Sequence, residues 1–426
     1  MDLMARVREE MAFESNIWKS YLYRFLMNFQ LWWPIWVIYL LRQRGLSLTQ
    51  VTLLDTPFFL LIVFAEVPTG AIADRFGRRV SLILGSALFA VAVFVFGIAD
   101  NFAVILVSYT AWGLALTFQS GADSALLYDS LKSVGREDDF PKINRRLWAV
   151  TSFGVLLAII VGAPLAGATS YAFPIVLSAG IALLAVPVAF SMHEAPRGQS
   201  ESQERYFQTL LGGIRSVWSQ PSLRYIFLFS GVVGAATFIP LVFQQPFLAH
   251  HGVSVGNLGL WQAPVRGAGV ASALGAGWFV SRLGTRGAFF ALPVMLGVCD
   301  LALAGLDYSV VAGAFLGVGA VAGSQFPILA AYVNERIPSE RRATMLSVQS
   351  LVYSVIIGVT LPLAGLIADQ YGLRAVFLVL GVVTLIGCII PLVLWSRAES
   401  KELAELEEMN RALLGIEHTR ERVPAS

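Results

Sequence analysis

The chain has 426 residues, 56% of them apolar and only 14% charged, with a formal net charge of +2. That composition excludes an ordinary soluble domain, and the near balance of charge gives no reason to expect a nucleic-acid partner. Cys299 and Cys388 both lie in apolar stretches, so neither a disulfide framework nor a metal site is indicated.

Residues 1–17 place Leu3, Met4, Val7 and Met11 at helical spacing among Arg6, Arg8, Glu9 and Glu10. They read as a short amphipathic helix on the cytoplasmic surface, with a disordered tail as the alternative. Twelve apolar stretches of about 20 residues or more follow, enough for one membrane crossing each. They lie near 18–41, 48–73, 79–99, 102–131, 144–169, 171–192, 222–249, 256–282, 287–306, 308–335, 341–370 and 373–395. The first is long, lacks a small-residue cleavage site and precedes more spans, so no cleavable signal is expected. Residues 193–221 form a polar linker with an amphipathic piece at Tyr206–Trp218, and they divide a bundle at 18–192 from a second at 222–395. The tail, 396–426, holds a further surface helix at Glu399–Leu414. With the N-terminus inside, 26 of the 30 lysines and arginines fall on the cytoplasmic side. Arg42, Arg44 and Arg374 fall outside, and Arg266 lies within a span, which predicts both termini in the cytoplasm.

Between the second and third spans the chain reads Gly70-Ala-Ile-Ala-Asp74-Arg75-Phe-Gly77-Arg78-Arg79. A partial copy, Gly277-Trp-Phe-Val-Ser281-Arg282-Leu-Gly284-Thr285-Arg286, lies 207 residues on. Arg145-Arg146 and Pro164-Leu-Ala-Gly167 are echoed by Arg341-Arg342 and Pro362-Leu-Ala-Gly365. Two six-span halves with matched landmarks are the signature of a secondary transporter, whose substrate site lies between the halves near the midplane. Gly70 lets a neighbouring helix approach closely, and Asp74 suits the positive end of another helix.

The Gly70-x-x-x-Asp74-Arg75-x-Gly77-Arg78-Arg79 string resembles motif A of the major facilitator superfamily, and the resemblance covers about 18–395. It implies an all-α membrane protein of twelve transmembrane helices in two pseudo-symmetric six-helix bundles, with both termini cytoplasmic. It also implies a gating cluster in which Asp74 caps helix 11 and Arg78 pairs with Asp129, with Asp123 second in line. The second copy carries Ser281 in place of the acid, so its lock is expected to be weaker. Pro164–Gly167 loosely resembles motif C of drug:proton antiporters but lacks its adjacent glycine. Helix 4 lacks the arginine of motif B.

Ionisable groups within spans are functional candidates by default. Asp55, Glu66 and Asp123 are the candidates for proton coupling, because a desolvated carboxyl can exchange a proton near neutral pH. Glu66 and Asp123 are equally readable as partners of the basic turn. Arg266 either binds an anionic substrate group or neutralises Asp300. Gln30, Gln119, Gln244, Gln245, Gln325 and Gln349 read as polar cavity lining, as does Gln262, at the position equivalent to Asp55. Trp32, Trp33, Trp36, Tyr39, Tyr109, Trp112, Trp261 and Tyr353 read mostly as packing or interfacial anchors. Stacking against a substrate, Trp33 above all, is the alternative.

These residues predict a secondary transporter with no cofactor and no enzymatic site, a monomer in the lipid bilayer of a bacterial inner membrane. Proton-coupled efflux of a lipophilic small-molecule substrate is the first reading. An importer or uniporter of a small polar or anionic nutrient is the second, and a non-transporting sensor the third.

Overall fold

Apolar runs of this length must satisfy their own backbone groups, and the described residues do so chiefly by forming helices. In a computed structural model, which describes residues 3–194, 212–215, 217–305, 308–337 and 339–420, no strand occurs among the described residues. Ten helical segments among them are long and apolar enough to cross a membrane. Most of the Tyr206–Trp218 piece lies outside the described residues, as do the side chains of Leu3, Met4, Val7, Arg341 and Arg342.

The first part contains α1 (Leu3–Asn28), the single turn α2 (Trp36–Ile38), α3 (Leu48–Leu53), α4 (Asp55–Phe76) and α5 (Arg78–Ile98). It continues through α6 (Phe102–Gln119), α7 (Ala122–Ser133), α8 (Phe140–Ala168), α9 (Ala172–Leu183) and α10 (Ala185–Ser191). After the linker come α11 (Pro221–His250), α12 (Leu258–Gly305), α13 (Tyr308–Arg336), α14 (Ser339–Tyr371) and α15 (Leu373–Arg420).

Three breaks shape the bundle. α1 runs unbroken across residues 17 and 18, then stops at Asn28, and Pro34 lies in the irregular stretch before α2. Gly121, at φ 75°, separates α6 from α7, so the fourth apolar run is two helices meeting at Ser120–Gly121. Gly284, at φ 68°, bends α12 and divides its 48 residues into two arms. Its counterpart 207 residues earlier, Gly77, also has positive φ, at 119°. Both basic turns thus need a backbone that other residues rarely adopt.

One close approach positions the site. The irregular stretch after α1 presses the Leu31 carbonyl against Gly162 of α8, where an added Cβ would overlap main-chain atoms. Gly162→Ala is expected to lower stability by about 1–3 kcal/mol through overpacking. A melting temperature in detergent equal to that of the unmodified chain would contradict this contact.

Candidate functional site

A helix broken inside a membrane strands backbone groups, and each must find a partner. Here two glutamines from the second part supply them. Gln245 on α11 donates to the Trp33 carbonyl at 2.9 Å and accepts from the Val37 N–H at 3.0 Å. Gln262 on α12 donates to the Pro34 carbonyl at 2.9 Å. Ser178 on α9 accepts from the Leu31 N–H at 2.9 Å. Gln262, expected to line the cavity, is therefore engaged with backbone, because the break at Pro34 leaves it a stronger partner.

The break displays aromatic rings. Trp32, Trp36, Tyr109, Trp112 and Phe58 are buried and mutually packed, whereas Trp33, Phe59, Phe238 and Tyr353 are half-buried. Phe59 of α4 meets Phe238 of α11 at 5.6 Å and Tyr353 of α14 at 5.8 Å, ring centre to ring centre. Trp33 lies edge-on to Trp112 at 6.3 Å. Both parts of the chain thus contribute rings to one central region.

Asp55 sits beneath this cluster, 1% exposed in the first turn of α4. Tyr109 donates to one of its oxygens at 2.8 Å, and the other oxygen has no hydrogen-bond partner. The indole nitrogens of Trp32 and Trp112 and the side-chain oxygen of Gln30 are likewise buried and unpartnered. Arg266 keeps an accessible face and lies over the Trp33 ring at 5.7 Å.

The alternative pairing of Arg266 with Asp300 is not formed. Both Asp300 oxygens lack a hydrogen-bond partner, and Asp300 is fully buried, away from any accessible cavity surface. The bend at Gly284 explains the difference, because it places the two residues on separate arms of α12. Asp123, a coupling candidate, forms an ion pair with Arg24 of α1 and sits in the first turn of α7. Glu66 is half-buried on α4. Gln325 donates to Thr237 at 3.1 Å, Gln349 to Ser230 at 3.3 Å, and Gln119 to its own helix at 3.3 Å. Gln244 is buried on α11.

At the basic-turn end, Arg78 and Asp129 form an ion pair. Glu194, just beyond α10, accepts the backbone N–H of Arg78 at 2.7 Å and of Arg79 at 3.2 Å. A carboxylate at the first N–H groups of α5 is favourably placed against the helix dipole. Arg75 lies over the Phe76 ring and Arg79 over Phe190. Burial, together with the positive charges of Lys19 and Arg79, pushes the His193 imidazole below its usual range. The second basic turn is held too: Glu399 of α15 accepts from Arg286 at 3.1 Å and from Arg336 at 2.6 Å. Asp74 is exposed at the end of α4, and a Cβ added at Gly70 would have no atom within 4 Å.

At the opposite end the two parts of the chain are in direct contact. Asp369, at the end of α14, accepts the Leu48 N–H at 2.9 Å, the Thr49 N–H at 2.8 Å and the Thr49 hydroxyl at 2.6 Å. Thr56 donates to the Gly358 carbonyl at 2.7 Å, and a Cβ at Gly365 would meet the Leu48 carbonyl at 2.8 Å. On the other flank, Gly167 of α8 approaches Gly256 at 3.1 Å from its built Cβ, and Gly259 packs on the Ile159 main chain.

Sequence reasoning missed Glu194, Glu399, Arg24 and Asp369. For Asp369 a signal was present: Gly365-Leu-Ile-Ala-Asp369 repeats Gly70-Ala-Ile-Ala-Asp74 almost letter for letter. The glycine gives close approach and the acid caps a helix N-terminus, which is the geometry seen between α14 and α3.

The sequence model described as Major Facilitator Superfamily matches residues 25–324 and 246–424. The multidrug efflux pump Tap of Mycobacterium tuberculosis is 25% identical over 362 residues, covering 80% of this chain and 84% of Tap. The uncharacterized MFS-type transporter YxaM of Bacillus subtilis is 24% identical, covering 84% of this chain and 90% of its own length. Among solved structures, the nucleoside transporter NupG superposes with a TM-score of 0.76 at 13% identity, covering 89% of this chain and 99% of NupG. A bacterial homologue of the lysosomal transporter Spinster, inward-facing and unoccupied, gives 0.73 at 16% identity, covering 91% and 98%. These two share the fold.

Proposed function

Because the chain belongs to the major facilitator superfamily and is therefore a multi-pass membrane transporter and not an enzyme, we propose that it exports small lipophilic compounds in exchange for protons. The observation that carries this reading is Asp55. It is a buried carboxyl with one oxygen held by Tyr109 and one unpartnered, set beneath aromatic rings drawn from both parts of the chain. Such a carboxyl can hold either a proton or the positive charge of a substrate resting on those rings, and that exclusivity couples the two flows. Sequence likeness to a multidrug efflux pump supports the direction.

In this reading twelve spans form two six-helix bundles with both termini in the cytoplasm. The broken α1 supplies one span and the two arms of α12 supply two. The same reading takes the state described as closed outside and open to the cytoplasm; Asp369 engaged with α3 and open space around Gly70 support it. Asp369 and Asp74 then act as alternating latches, one at each end, each capping a helix of the other bundle. Asp74→Asn is expected to leave a folded, monodisperse protein whose transport rate falls roughly tenfold, since hydrogen bonds to a charge contribute about 1.5–3 kcal/mol each. Transport at the unmodified rate would remove Asp74 from the gate.

A second reading is favoured by Arg266, which is over Trp33 and unpaired with Asp300. It makes the chain an importer of a small polar or anionic nutrient. Everted membrane vesicles holding a pH gradient, reported by a quenched dye, separate the two. Proton release on addition of lipophilic compounds supports export. Silence across such compounds, with uptake of anionic nutrients by right-side-out vesicles that is lost in Arg266→Gln, supports import.

A further inference from the structure

A buried carboxyl ordinarily has a counter-charge, a set of N–H donors or a metal. Asp300 has none of these among the described residues. It is 0% exposed, and neither oxygen has a hydrogen-bond partner. Its surroundings are tight as well as apolar. One turn away, a Cβ built at Gly297 would meet the Gly381 carbonyl of α15 at 3.2 Å, and one built at Gly381 would meet the Gly297 carbonyl at 3.1 Å. The neighbouring Cys299 faces Gly317 of α13. A second buried polar group without a partner, the Thr384 hydroxyl, belongs to the α15 stretch that makes this crossing.

The charges that might answer Asp300 lie elsewhere. Arg266 is on the other arm of α12, over Trp33. Between Arg374 and Arg397, α15 has no titratable group but the thiol of Cys388, and α11 carries no acid or base between Tyr225 and His250. From Gly313 to Asn334, α13 carries only Tyr332, which is engaged with Trp395 near the basic-turn end. A metal cation would need several oxygen ligands, and no group of residues able to hold one occurs among the described residues. A proton needs no ligands beyond the carboxyl itself.

We propose that Asp300 is a second proton-binding site of this transporter, occupied in the conformation described and emptied only when α12 and α15 part. An ionised carboxylate at this crossing would have neither water nor a donor, so release of the proton requires the crossing to open. The site is then read by a movement within the second bundle, apart from Asp55 and the aromatic rings. Its place in transport rests on the proton-coupled reading above, whereas its occupancy can be measured without transport.

The test is the infrared spectrum of the purified full chain near neutral pH, in the stretching region of protonated carboxyls, beside Asp300→Asn. A band present in the unmodified chain, missing in Asp300→Asn and distinct from any band lost in Asp55→Asn, is the expected result. Superimposable spectra in that region, with carboxylate absorption reduced instead, overturn the proposal. If Asp300→Asn is not monodisperse, the unmodified chain is treated with dicyclohexylcarbodiimide. The proton of a neutral carboxyl passes to a carbodiimide nitrogen, the carboxyl oxygen adds to the central carbon, and acyl migration leaves a stable N-acylurea. An adduct on the peptide bearing Asp300 supports the site, and its absence counts against it. A spectrum that fails while Asp55-dependent antiport persists removes this site alone.

Discussion

Asp55→Asn is expected to abolish accumulation against a gradient while leaving downhill movement of substrate in place. Each pH unit across the membrane supplies about 1.4 kcal/mol per proton, so one coupled proton sustains roughly a tenfold substrate gradient per unit. In the variant that ratio falls to about one at every pH gradient, because the amide cannot exchange a proton. Tyr109 keeps a partner in the amide oxygen, so the fold beneath the rings is expected to survive. The measurement is the steady-state accumulation ratio of a transported compound over a series of imposed pH gradients. An unchanged slope would remove Asp55 from the coupling step.

Asp369→Ala is expected to open the closed end. The side chain accepts three hydrogen bonds from the start of α3, and it stands at the positive end of that helix. It is exposed, so solvent screens its charge and the smaller values for charge-assisted bonds apply. A loss of about 1.5 kcal/mol shifts a two-state equilibrium by roughly tenfold. Spin labels at Thr169→Cys and Tyr371→Cys, both exposed at that end, would report a longer mean separation in Asp369→Ala. An unchanged distance distribution would mean that the glycine contacts at Gly365 and Gly259 hold the closure without the acid. With Asp74→Asn made in the same background, the two effects should partly cancel, since each weakens the opposite state.

The architecture was legible because apolar runs of membrane length leave few choices, and because the basic turns fix a spacing between the halves. The breaks were less so. Nothing in the sequence says where the first span breaks, or that Gln245 and Gln262 leave the cavity to satisfy the backbone around Pro34. Pairing with Asp300 was one of two readings open for Arg266, because both lie at similar depth, and depth along a sequence cannot tell which arm of a bent helix faces which neighbour. Glu194 and Glu399 stand in polar stretches full of other charges, where only the folded turn distinguishes the acid that reaches a helix start. The Gly365–Asp369 copy was hidden for a different reason. A search at the 207-residue offset aligns α4 with α12, whereas this copy relates α4 to α14, at opposite ends of the membrane.

In the proposed cycle each half draws on one such acid, and Asp55 stands between them. The most direct test uses purified chain in proteoliposomes with a pH dye sealed inside and no other protein present. With no initial pH gradient, a lipophilic cation is loaded inside and diluted outside. The account predicts that its exit drives protons inward, acidifying the lumen, and that Asp55→Asn liposomes release the compound without acidification. Substrate exit accompanied by luminal alkalinisation, which is movement of both in the same direction, would contradict antiport and with it the function proposed here.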